Sequence, residues 1–199
     1  MQGGTSVIEK AVDRIVQRLI EEQLLEQGKR AFYVYALQLK CERCFTVGTI
    51  LLISVILKNE LQTLLFLLCF LNLRKHTGGY HANTFWQCYL ETIITYLLVP
   101  VFVLVIDRIF VLHMILLLGA SVYITLVATI NHPNMAFDKE EYEASRKVAR
   151  AVLALEGVSI VLCYAIGVGE CYICFMSTAI ILCALLMFLA KMSKQEVSQ

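Results

Sequence analysis

Apolar residues fall into six blocks along the chain, 45–57, 61–73, 85–106, 109–130, 151–167 and 170–190, with polar residues gathered between them. A helix needs roughly 20 apolar residues to cross a bilayer core, and the longer blocks reach that length. The first two hold only 13 residues each, about 20 Å of helix. They either borrow flanking residues to span or form a short hairpin that thins the local bilayer. Ahead of them, residues 5–28 mix charge and aliphatic groups at helical spacing. Val7 or Ile8, Ala11 or Val12, Ile15 or Val16, and Leu19 or Ile20 share one face, while Lys10, Asp13, Arg14, Gln17 and Arg18 share the other. Ser6 and Glu9 have capping-box spacing and Gly28 is a natural stop, so a helix is expected between them. Such a helix lies in the lipid interface or packs on the cytoplasmic side of a bundle. The pattern predicts an all-α, polytopic helical membrane protein. It has about six membrane segments, an amphipathic helix over residues 1–30 and a transmembrane domain over 31–199.

Composition sharpens this picture. The 199 residues are 59% hydrophobic and 17% charged, against roughly 45–50% and 25% in soluble domains. A net charge of +1 argues against nucleic-acid binding, which needs a concentrated basic face. The first 30 residues contain no apolar core of signal-peptide type, so no cleavage there is expected. With six crossings, 15 Lys and Arg fall on the side of the two termini and 2 on the other. Cytoplasmic loops carry the Lys and Arg excess, which places both termini in the cytoplasm.

That topology sets the stretch 74–88, RKHTGGYHANTFWQC, at the cytoplasmic mouth of the bundle, with Cys88 about one turn into a long helix. A free thiol has a pKa of about 8.5, and a nearby imidazolium or helix N-terminus lowers it and makes a nucleophile. His81 precedes Cys88 by seven residues, which on a straight helix is about 10 Å of rise. Hydrogen bonding therefore requires a bend, and Gly78 and Gly79 can supply the backbone angles for it. His76 is the more remote partner. On spacing alone, solvated histidines and a core-filling cysteine account for the same residues.

The fuller pattern is more specific. Arg74-x3-Gly78-Gly79-x-His81-Ala82-x5-Cys88, between hydrophobic segments of a chain of this length, resembles the accessory gene regulator B family of bacterial quorum-sensing peptidases. The later stretch NHPNMAFDKEEYEASRKVAR resembles the family's asparagine–proline and lysine-rich segment, although it is more acidic. The resemblance implies a membrane cysteine endopeptidase of the bacterial cell membrane, multi-pass, with its active site at the cytoplasmic side and its catalysis in residues 31–199. It implies Cys88 as nucleophile and His81 as base, with Arg74, Gly78 and Gly79 in support. It further implies a partner, the precursor of an autoinducing peptide of accessory gene regulator D type. That precursor is cut through a thioester and cyclised. The other implications are a surface of membrane lipid, a homodimer, and no cofactor or metal.

No third catalytic residue is named by the sequence. Glu91, one turn beyond Cys88, and Asn83, two residues beyond His81, are candidates for orienting the imidazole. Arg74, Lys75, Arg146, Lys147 and Arg150 can meet an acidic precursor tail or simply mark topology. Cys41-x2-Cys44 and Cys171-x2-Cys174 fall on opposite membrane sides, which disfavours a shared zinc site. Glu156 is a costly carboxyl within an apolar run. A small transporter or peptide exporter lined by His81, Glu156 and Arg74 is the competing reading. It would need no Cys88 and would spread polar groups over several spans, whereas here they concentrate at one face.

Overall fold

The computed structural model describes residues 7–80, 85–106, 109–130 and 138–193. Among these residues the chain is all α apart from a short 3-10 turn, Gln27–Lys29. The helices are α1 (Val7–Glu21), α2 (Arg30–Leu57), α3 (Glu60–Thr77), α4 (Phe85–Ile106), α5 (Phe110–Val127), α6 (Lys139–Ala165) and α7 (Glu170–Met192). They divide into two compact units, residues 1–52 and 53–199, with α2 running from the first into the second.

In the first unit, α1 buries Val12 and Val16 and exposes Arg14, Gln17 and Arg18, the expected amphipathic division. The expected stop at Gly28 comes early. Leu24 N–H donates to Leu19 O and Gln23 N–H to Ile20 O, both at 2.9 Å, with Gln23 at φ 58°. This wrap-around closure satisfies the last carbonyls and ends the helix at Glu21, with glutamine in the place glycine usually takes. Asp13 and Arg30 form an ion pair at 2.6 Å that links α1 to the start of α2. The transitional stretch 31–43 is helical and continuous with the apolar block after it. Neither proline nor glycine interrupts it, and Gln38 donates to Glu42 one turn on, at 3.0 Å. The Ser6 cap lies outside the described residues.

In the second unit α7 is the central helix, packing on α3, α4, α5 and α6. Residues 173–180 are buried without a break, followed by Cys183, Ala184, Met187 and Ala190. The other helices leave large apolar residues outside, among them Leu98, Val101 and Leu104 on α4, Leu118 and Leu126 on α5, and Val161 on α6. In water such a surface would associate; in hydrocarbon it is the stable one. Three helices are long and apolar enough to cross a membrane, Trp86–Val105, Lys139–Ala165 and Glu170–Met192, and Val111–Val127 is a shorter apolar helix. The chain is a helical membrane protein.

The expected loop 131–150 is helical from Lys139 onward. Asp138 accepts from Glu141 N–H at 2.8 Å and Glu141 accepts from Asp138 N–H at 3.2 Å. This capping box satisfies donors at the helix start and lets α6 begin twelve residues before its apolar block.

Candidate active site

The basic cluster expected in a loop is instead the last turn of α3, which continues through Arg74, Lys75, His76 and Thr77. Cations at a helix C-terminus face the negative end of its dipole, which favours them there. Gly78, at φ 65°, then turns the chain out of the helix, its N–H donating to Arg74 O at 3.2 Å. Gly79 follows at φ 127°. Two successive backbone angles in the glycine-favoured region make the bend that the sequence called for.

The turn is built into its surroundings. A side chain at Gly78 would bring Cβ to 2.7 Å from Ile130 O, and one at Gly79 would collide with the Arg74 guanidinium and approach Leu186 C at 3.2 Å. Arg74 explains the crowding: Nη1 donates to Gly78 O and Nη2 to Tyr80 O, so one planar fork grips both sides of Gly79. Tyr80 N–H donates to Leu186 O of α7 at 3.0 Å. The backbone is thus pinned one residue ahead of His81.

A second brace holds the end of α3. His76 O accepts from the hydroxyls of Thr129 and Ser145, each at 3.0 Å, and Ile130 N–H donates to Thr77 O at 2.9 Å. Tyr142 of α6 donates to Thr129 O at 3.3 Å. The segment after α5 and the start of α6 therefore both close on the Arg74–Gly79 turn. Burial, and then the charge of Lys75, hold the His76 imidazole below its usual pKa.

Cys88 is the fourth residue of α4 and half-buried, within the first turn where the helix dipole favours an anion. Thr92 Oγ1 donates to Cys88 O at 2.7 Å. Trp86, largely exposed, meets Tyr89 edge-on at 5.9 Å between ring centroids. Glu91 is exposed on α4. His81 and Asn83 lie outside the described residues. Of the sequence-derived residues, the structure brings Arg74, Gly78 and Gly79 into one assembly and sets Cys88 at the helix start that follows.

Comparison with known families matches residues 12–192 to accessory gene regulator B. The chain belongs to the accessory gene regulator B family. Over 90 residues it is 32% identical to Protein FsrB of Enterococcus faecalis (strain ATCC 47077 / OG1RF), a match covering 45% of this chain and 37% of that protein. No solved structure matches the chain. The family match spans both compact units and includes the Arg74–Cys88 stretch entire.

One polar cluster escaped the sequence reading. His113 of α5 is 1% exposed, with Nε2 at 2.7 Å from Ser177 Oγ and Nδ1 at 3.5 Å from Cys174 Sγ. Cys174 and Ser177 lie one turn apart on α7, the only sequence signal that the histidine had partners on a common face. Enclosure of all three side chains suits a clamp between α5 and α7 rather than chemistry on a peptide. Cys41 and Cys44 lie on α2, Cys171 and Cys174 on α7, and no disulfide joins the described cysteines.

Proposed function

We propose that this accessory gene regulator B protein is a membrane-embedded cysteine endopeptidase that cleaves a quorum-sensing propeptide and promotes its cyclisation to an autoinducing peptide. The observation that carries the reading is the fork of Arg74 on Gly78 O and Tyr80 O, which fixes the backbone leading directly into His81. A binding surface has no need of such a device. A base that must meet a thiol does, because misplacement by an ångström costs orders of magnitude in rate.

Cys88 is the nucleophile in this reading and His81 the general base. The imidazole takes the thiol proton, and the sulfur attacks a precursor carbonyl, forming a C–S bond. The C–N bond then breaks as His81 returns the proton to the leaving amine. The N-terminal portion of the precursor remains on Cys88 as a thioester. A thiol or hydroxyl within that portion attacks the thioester, expels the Cys88 thiolate and closes the ring. Exchange between acyl sulfur species is nearly even in energy, so keeping water out decides the yield, and a half-buried Cys88 at the membrane edge favours that.

The six apolar blocks cross the membrane in this proposal, with both termini and the active site at the cytoplasmic side. The precursor, of accessory gene regulator D type, arrives along membrane lipid, and the working unit is a homodimer. Residues 1–30 serve as the interfacial helix and 31–199 as the catalytic domain.

Co-expression with the precursor tests the reading. Cys88→Ala and His81→Ala each abolish cleavage while membrane insertion persists. Cleavage that survives in Cys88→Ala removes the endopeptidase assignment.

A further inference from the structure

Glu156 interrupts the apolar run of α6 and is 7% exposed. Neither of its carboxyl oxygens has a hydrogen-bond partner among the described residues, nor does the hydroxyl of Thr178 on α7, which is 5% exposed. The two side chains belong to one helical hairpin, α6–α7, whose turn is residues 166–169. Glu156 stands ten residues before that turn begins and Thr178 nine after it ends, so both lie about 14–15 Å from it along their helices. They share a level in the hairpin.

The helix that carries it, α6, also packs on α3. α3 packs in turn on α7. Glu156 is therefore buried on a helix that packs against both α3 and α7 in the second unit. A partnerless carboxylate there lacks every donor that an anion requires, whereas a protonated carboxyl brings its own. Unpartnered buried polar atoms are commonly satisfied by an enclosed water, which needs two to four polar partners. Glu156 supplies an acceptor and a donor, and Thr178 supplies a hydroxyl that does both.

We propose that Glu156 and Thr178 form an interior site for a proton and a bridging water. The proton comes from bulk water and resides on the carboxyl, and the water joins it to the Thr178 hydroxyl across the hairpin. The site is separate from the Cys88 assembly, and its occupancy stands or falls independently of peptide cleavage.

Infrared difference spectra of the full-length protein in lipid vesicles at pH 7 test it, comparing the unmutated chain with Glu156→Gln and Thr178→Val. The expected result is a protonated-carboxyl C=O stretch that shifts in D2O, vanishes in Glu156→Gln and moves to higher frequency in Thr178→Val. Isotope labelling of the glutamates in the unmutated chain reads the same band should Glu156→Gln fail to fold. Absence of the band means an ionised Glu156 and overturns the proton site. A band unmoved in Thr178→Val overturns the water bridge. Loss of the band on adding Na+ at constant pH shows a metal cation displacing the proton and overturns the assignment of ligand.

Discussion

The guanidinium of Arg74 donates to the carbonyl of Tyr80, six residues further along the chain, and in doing so closes a loop around Gly79. Its other terminal nitrogen donates to Gly78 O. A lysine cannot reproduce this fork, since it offers a point charge rather than two donors in a plane. Hydrogen bonds from a charged donor contribute about 1.5–3 kcal/mol each. Arg74→Lys should therefore retain insertion and lower precursor cleavage by about tenfold or more, given roughly 1.4 kcal/mol per decade. Quantifying the cleaved precursor by immunoblot, normalised to membrane-inserted protein, measures the loss. Wild-type cleavage in Arg74→Lys would show that the fork does not position the base.

The glycines bear unequal demands. Gly78 and Gly79 combine positive φ with close neighbours, whereas nothing lies within 4 Å of a Cβ at Gly28 or Gly119. Strained backbone angles cost of order 1–3 kcal/mol for other residues. Alanine at Gly79 also pushes Arg74 off its carbonyls. The expected ranking is severe loss of cleavage for Gly79→Ala and Gly78→Ala, and little change for Gly119→Ala. Equal tolerance at all three sites in a cleavage assay would contradict the geometry.

Acid should loosen the end of α3. The folded state holds the His76 imidazole below its ordinary pKa of 6.5, so the neutral ring is favoured in the native protein. Stability from this group is fully present above pH 6.5 and declines as pH falls from there through the folded value, because the unfolded chain takes up the proton first. Thermal midpoints of the detergent-solubilised protein, measured from pH 8 to pH 5, should fall more steeply for the unmutated chain than for His76→Gln. Parallel curves would assign the acid sensitivity to another group.

His113 ties α5 to α7 through Ser177 and Cys174. Truncation to alanine leaves a cavity and removes the imidazole from a Ser177 hydroxyl that keeps its bond to Ile173 O at 2.8 Å, a loss worth about 2–4 kcal/mol in all. His113→Ala should lower the thermal midpoint, with Ser177→Ala producing a smaller drop, while protein that remains folded still cleaves precursor at a near-normal rate. A folded His113→Ala protein without cleavage would move this cluster from scaffold to mechanism.

The lengths of the apolar blocks and the asymmetry of Lys and Arg are local properties of the chain, so the sequence alone specified helices at 85–106, 109–130 and 170–190 and the family pattern at Arg74–Cys88. It also offered Gly78 and Gly79 as the place for a bend, because only glycine takes those angles cheaply. Helix boundaries were less legible. The Asp138 box carries α6 back through residues that read as loop, and the closure at Gln23 ends α1 ahead of Gly28, since end hydrogen bonds compete locally on margins of about 1 kcal/mol. What Arg74 does was beyond sequence reading altogether. Its partners are backbone carbonyls, which carry no residue identity, and their approach depends on Leu186, Thr129, Ile130 and Ser145 closing from segments far along the chain. The same holds for His113 and Ser177, separated by 64 residues. Partnerships of that kind exist only once helices have chosen neighbours, a choice made by packing over whole faces rather than by any short stretch of residues.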